Sequence, residues 1–153
     1  MREVVTASPE ETEALAASLG RTAHAGALIG LIGDLGAGKT CFVRGLAEGL
    51  GADPEQVHSP SFTTATEYHG GRLVLHHVDV FRLEPASGDT LFLREVLYGE
   101  GVAAVEWFDR LLPAASDEVL LITLRDDGAD QRTIRLEARG PRHARWLETA
   151  LKT

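Results

Sequence analysis

Apolar positions along the chain fall into two alternating rhythms, one of strand period and one of helical period. Val4–Thr6 has the spacing of a short strand, and Ser8-Pro9-Glu10-Glu11 reads as a helix start, with Ser8 as N-cap, Pro9 at the first helical position and Glu11 at the third. That helix is expected to run to about Leu19, with Gly20 as its stop. Ala27-Leu28-Ile29-Gly30-Leu31-Ile32 is an unbroken apolar run of strand length, the pattern of a strand buried on both faces, and is expected to be the central strand. From Lys39 to about Leu50 the apolar residues Phe42, Val43, Leu46, Ala47 and Leu50 return at helical spacing, and Gly51 ends the run. Strand patterns follow at Phe62–Tyr68 and Leu73–Val80, joined across Gly70-Gly71 as a hairpin. Residues 89–98 predict a helix and Val102–Val105 a second buried strand. Glu118–Arg125 and Thr133–Ala138 predict a strand pair around an Asp126–Asp130 turn, and about Pro141–Leu151 a closing helix. Strands alternating with helices predict an α/β fold, a three-layer sandwich around a mixed, mainly parallel sheet.

Length and composition narrow this picture. A chain of 153 residues without repeats or linker-like stretches is read as a single domain, 1–153. Hydrophobic residues at 44% and charged residues at 25% fit an ordinary soluble globular protein. The single cysteine excludes an internal disulfide and a zinc–thiolate site, and favours a reducing, cytoplasmic setting. The N-terminus lacks the apolar run of a signal peptide, and no segment has the length of apolar residues that a membrane span needs, so no membrane association is expected. With 15 basic and 23 acidic side chains the net charge is −8, which argues against a domain that holds nucleic acid unaided. The charge is uneven. Residues 131–153 carry Arg132, Arg135, Arg139, Arg142, Arg145 and Lys152 against Glu137 and Glu148, a local +4 that leaves −12 on residues 1–130. Such a C-terminal face is either a meeting place for RNA or an acidic partner, or a solvated helix.

The densest chemistry sits between the central strand and the helix after it. Gly33-Asp34-Leu35-Gly36-Ala37-Gly38-Lys39-Thr40 satisfies G-x-x-x-x-G-K-[ST], in the strand-to-helix context this motif requires. Glycines permit backbone angles that let successive N–H groups converge on an anion at the positive end of a helix. Lys39 then reaches the β- and γ-phosphates of a nucleotide, and the Thr40 hydroxyl ligates magnesium. Lys39 and Lys152 are the only lysines in the chain, so one of two occupies the position where a phosphate loop uses an ammonium. Cys41, next in sequence, reads as a small packed residue of the first helical turn rather than as a nucleophile.

Hydrolysis needs more: a carboxylate for magnesium and a group that orients water. Asp79 and Glu106 each close a predicted strand, placing both at carboxyl ends, where open α/β sheets put their ligands. Spacing does not decide which takes the metal and which the water. His77 and Asp79 lie two apart on a strand and share a face, which fits either a His–Asp metal pair or a hydrogen-bonded packing histidine. His58-Ser59-Pro60-Ser61-Phe62-Thr63-Thr64 is rich in hydroxyls around a proline, as a γ-phosphate-sensing segment or a plain turn would be. Arg82 offers charge neutralisation or a structural ion pair, and Trp107 an edge of the site or core packing.

Together these residues resemble the TsaE family of bacterial ATPases of tRNA threonylcarbamoyladenosine biosynthesis, over roughly residues 4–138. The resemblance rests on G-D-L-G-A-G-K-T at 33–40, S-P-S-F-T at 59–63 followed by Glu67-Tyr68, H-x-D-x-[FY]-R-L at 77–83, and Glu106-Trp107. Where that family usually has threonine, this chain has Ser61, which keeps a hydroxyl, and Cys41, which does not. The resemblance implies a P-loop NTPase fold and an ATP- and magnesium-dependent subunit that works with the TsaB and TsaD proteins. Those partners transfer a threonylcarbamoyl group to tRNA, which this subunit is expected to meet indirectly through the complex, and the ATP cycle of this subunit, weak in isolation, would reset or license it. Carried over, Gly33, Gly36, Ala37, Gly38, Lys39, Thr40, Cys41 and Ser61 are expected to bind nucleotide, with base contacts from Glu11 and Arg132. Lys39, Asp79 and Glu106 are expected to be catalytic, and Thr40, Asp79 and Glu106 are the candidate magnesium ligands.

Two other readings compete. A small-molecule or nucleoside kinase would also use a phosphate loop. It usually carries an arginine-bearing lid, for which Glu84–Gly99 supplies Arg94 alone. A nucleotide-gated binding module in which hydrolysis is incidental is the third.

Overall fold

The computed structural model describes residues 1–33, 38–58, 65–79, 99–106 and 118–152. Seven strands form one sheet: β1 (Arg2–Thr6), β2 (Leu28–Ile32), β3 (Ala65–Tyr68), β4 (Leu75–Asp79), β5 (Val102–Glu106), β6 (Val119–Gly128) and β7 (Gln131–Arg139). Among the described residues three helices accompany them: α1 (Pro9–Thr22), α2 (Lys39–Leu50) and α3 (Pro141–Leu151), with a short 3₁₀ turn at Pro54–Gln56. The strand order is β1-β7-β6-β2-β5-β4-β3. β2 runs parallel to β5 and β6, and β4 parallel to β5, whereas β1, β7 and β3 pair antiparallel with their neighbours. The sheet is thus mixed and parallel through its four central strands, as expected for an α/β domain. The helix predicted over 89–98 lies outside the described residues.

Continuous apolar runs become central strands because both faces are covered. Ile29, Leu31, Ala104, Leu120 and Ile122 join Phe42, Leu46 and Leu19 in the main core, and the alternate residues Leu28, Val78, Ala103, Val105 and Leu121 are buried as well. β6 and β7 extend the expected pair to a two-residue turn at Ala129-Asp130, both with positive φ (50° and 66°), which suits the twist of a tight hairpin.

Helix ends follow the local code, with one correction. Ser8 Oγ accepts the Glu11 N–H (3.2 Å), and the Glu11 carboxylate accepts the Ala7 N–H, closing the start of α1. Gly51, at φ 92°, caps α2. Gly20, however, does not stop α1, which continues to Thr22. Its role is steric: a Cβ there would lie 2.5 Å from the Leu46 carbonyl oxygen. Gly45 and Gly49 of α2 do the same, since added Cβ atoms would lie 2.3 Å and 2.2 Å from the Glu13 and Ala17 carbonyl oxygens. These three glycines let α1 and α2 touch backbone to backbone. The last carbonyls of α1 are taken up by tertiary donors: Trp146 Nε1 of α3 donates to Leu19 O (3.0 Å), and Arg72 donates to Gly20 O (3.0 Å) and Arg21 O (3.3 Å).

α3 starts at Gly140, which has no capping side chain, and Glu118 caps it from a distance. The Glu118 carboxylate accepts the Arg142 and His143 N–H groups (3.3 and 3.4 Å) and the His143 Nδ1–H (2.8 Å). His143 Nε2 in turn accepts the Leu28 N–H (3.0 Å), which fixes the proton on Nδ1. One buried imidazole therefore ties α3 to the starts of β2 and β6. The His143 side chain, then the two backbone donors, hold the Glu118 carboxyl below its ordinary value of 4.5. A depressed carboxylate stabilises the fold above its unfolded pKa, and that contribution is lost as the pH falls through the folded value. Glu118→Gln is expected to lower the melting temperature at pH 7 and to flatten its decline below about pH 4.5. Thermal unfolding across that range checks it; unchanged melting at pH 7 with the same acid slope would contradict the cap.

Candidate functional site

Three parallel strands end side by side at one edge of the sheet. Asp79 of β4 is in register with Glu106 of β5, and Glu106 with Leu31 of β2, so the two carboxylates project from neighbouring strands spaced by about 4.8 Å, on the face that α2 covers. Gly33 leaves β2 at that edge, and α2 begins there at Lys39. Gly38 stands at φ 102°, a left-handed conformation suited to glycine, directly before the helix. The Lys39 ammonium is buried and donates to the Gly33 carbonyl (2.8 Å), folding its side chain back over the first residue of the loop. Thr40 follows in the first turn. Lys39, Thr40, Asp79 and Glu106, chosen from sequence, are thus brought to one end of the molecule. Gly36, Ala37 and Ser61 lie outside the described residues, as do Arg82, Arg94 and Trp107.

The other expected contacts are placed as follows. Arg132 Nε lies 3.7 Å from where a Gly38 Cβ would sit, beside the loop, and its Nη1 is paired with Asp126 (3.0 Å). Glu11 is committed to the start of α1 through Ala7. Cys41 points its thiol at α1, against Pro9 O (3.4 Å) and Glu13 Oε1 (3.7 Å), so only its backbone N–H is left for an anion. Burial first, then Glu13, raises that thiol to about 11, which makes it inert and agrees with a packed residue rather than a nucleophile.

Sequence reasoning missed how the Glu106 carboxylate is supported. His77, fully buried, has both ring nitrogens engaged: Nε2 with Glu106 Oε2 and Nδ1 with the Tyr68 hydroxyl (3.3 Å). That arrangement is the hydrogen-bonded histidine, and it leaves no nitrogen for the alternative His–Asp metal pair. The Tyr68 hydroxyl also meets the backbone N–H of His58 (3.3 Å). Burial, and secondarily the Glu106 charge, raise the Tyr68 phenol, while the His58 backbone contact opposes them. Strand period alone puts Tyr68, His77 and Glu106 on buried faces, but only the pairing of β3, β4 and β5 shows that they meet.

Asp79, Glu106 and the Thr40 hydroxyl are hard oxygen donors of the kind magnesium takes. Among the described residues no group of three His, Cys, Asp or Glu side chains lies together as a cation site. A cavity of about 230 Å³ lined by Thr22, His24, Arg142, Arg145, Trp146 and Thr149 lies between α1 and α3, before β2 begins and so away from these residues.

Comparison with known proteins decides the family. A sequence profile described as "Threonylcarbamoyl adenosine biosynthesis protein TsaE" matches residues 6–134. The chain belongs to the TsaE family. A TsaE from Bacillus subtilis is 44% identical, with 94% of this chain and 89% of that relative aligned. Another from Nostoc is 40% identical, over 88% of this chain and 85% of that relative. The crystal structure of Bacillus subtilis YdiB superposes with a TM-score of 0.82 at 36% identity, covering 99% of this chain and 94% of that one. The match to the YdiB structure thus extends over nearly the whole chain, not the phosphate loop alone. No helix among the described residues is long and apolar enough to cross a membrane.

Proposed function

We propose that this chain is the magnesium-dependent ATPase subunit of tRNA threonylcarbamoyladenosine biosynthesis, acting with TsaB and TsaD and meeting tRNA through their complex. The observation that carries the ATPase part is the convergence, at one sheet edge, of a buried lysine at a helix start with two buried carboxylates on adjacent strands. The role in tRNA modification rests on the family.

In this reading the N–H groups of the 33–41 loop and the Lys39 ammonium hold the triphosphate. Thr40 and Glu106 would hold magnesium, which when bound would neutralise phosphate charge. Asp79 accepts a hydrogen bond from water and aims it at the γ-phosphorus. A P–O bond forms to that water, the bond to the β–γ bridging oxygen breaks, and ADP leaves with the electron pair. Phosphate and solvent take up the proton. Lys39 stabilises the same charge as it moves onto the leaving oxygen.

Turnover of ATP measured alone, with purified TsaB and TsaD, and with nucleosides or small hydroxyl compounds tests this reading. Slow hydrolysis that the partner proteins accelerate is the expected result. A phosphorylated acceptor would instead establish a kinase, and no turnover in any mixture a nucleotide-gated binding module.

A further inference from the structure

Beyond the loop and its two carboxylates, the buried interior holds a polar chain that the reaction as written does not use. An ionised carboxylate only accepts, so the contact between His77 Nε2 and Glu106 Oε2 places a proton on Nε2. Nδ1 faces the Tyr68 hydroxyl at 3.3 Å, and that hydroxyl is itself held on the His58 peptide, accepting its N–H and reaching its carbonyl oxygen, each at 3.3 Å. The His77 Nε2–H points at Glu106, and Tyr68 closes off the other side of the ring. The members of this polar chain are also well enclosed: Tyr68 is 3% exposed, His77 0% and Glu106 5%. With water excluded, the carboxylate has few competing partners and the imidazole has no room to turn. One oxygen of Glu106 is held in place, which fixes the plane of the group and the direction of the other.

We infer that His77 and Tyr68 are positioning residues for Glu106: Tyr68, anchored on the His58 peptide, holds the far side of the His77 ring, and His77 aims the Glu106 carboxylate at the metal of the phosphate site. This rests on the ATPase reading above. A donor behind a liganding carboxylate orients it, and losing such an outer partner typically costs about 10–100-fold in metal affinity or activity.

The two ends of the imidazole can be tested apart. In His77→Gln the amide nitrogen falls near the position of Nε2 and keeps a donor on Glu106; in His77→Asn it falls near Nδ1 and leaves Glu106 without one. Tyr68→Phe removes only a hydroxyl. For each variant, Mn2+ binding in the presence of ADP is measured by the electron paramagnetic resonance of free Mn2+, alongside ATP turnover with partner proteins and thermal unfolding. His77→Asn is expected to weaken Mn2+ binding by about tenfold or more and to lower kcat similarly, with the KM for ATP at saturating metal unchanged. Tyr68→Phe should lose about three- to tenfold, and His77→Gln should stay within about threefold of wild type. A purely structural role would lower the melting temperature of the variants without moving metal affinity, and that result overturns the inference while leaving the ATPase reading intact. Gln no better than Asn overturns it as well. Wild-type protein that neither binds Mn2+ with ADP nor hydrolyses ATP removes the reading itself, and the inference with it. Should both His77 variants fail to fold, Tyr68→Phe decides: wild-type metal affinity there overturns the inference.

Discussion

Lys39→Ala is expected to abolish ATP binding, with affinity falling by about a hundredfold or more. The side chain is buried at the start of α2 with its ammonium on the Gly33 carbonyl, so the charge is already held over the loop before any phosphate arrives. Contacts from a charged donor contribute about 1.5–3 kcal/mol each, and two phosphate groups within its reach bring the loss to two orders of magnitude. Asp79→Ala and Glu106→Ala should behave differently. They remove no phosphate donor, so much of the affinity should remain while turnover drops to background. Calorimetric titration with a nonhydrolysable ATP analogue, set beside turnover rates, separates the two classes. Equal affinity in wild type and Lys39→Ala would remove the loop from the account.

The second large effect is on stability. Gly45→Ala and Gly49→Ala place a methyl group in the α1–α2 contact, where backbone carbonyls lie 2.3 and 2.2 Å from the new Cβ. Alanine in a helix gains about 1 kcal/mol over glycine from backbone propensity alone. Here that gain is outweighed, because the obstructing atoms are main chain and cannot rotate away, so the helices must part and Phe42, Leu46 and Leu19 lose packing. Overpacking of this kind costs about 1–3 kcal/mol or more. Each variant should therefore be net destabilised in urea unfolding; a stabilised variant would show that the helices have room to spare.

What could be read from the sequence was local. The double-sided burial of Leu28–Ile32 follows from an uninterrupted apolar run, the start of α1 from Ser8, Pro9 and Glu11, and the anion loop from glycine and lysine spacing. Asp79 and Glu106 were legible because a strand end is visible in the chain itself. Contacts between distant segments were not. His77 meets Glu106 across 29 positions, and Glu118 caps α3 across 24, and both depend on which strands lie together. Gly20 read as a stop because its local signal is that of a helix end. Its actual requirement comes from α2, and Gly45 and Gly49 likewise look like helix weaknesses until α1 is set against them.

That close approach also has an entropic side. Glycine and alanine have no side-chain rotamers to freeze, so Gly20, Gly45, Gly49, Ala16 and Ala17 come together without loss of side-chain freedom, and the ordering cost falls on the glycine backbone instead. Where main chain meets main chain, no side chain stands between the helices to absorb a displacement. α2 therefore moves only if α1 moves with it, and the height at which the Lys39 ammonium stands above Gly33 is set by a helix that carries none of the chemistry.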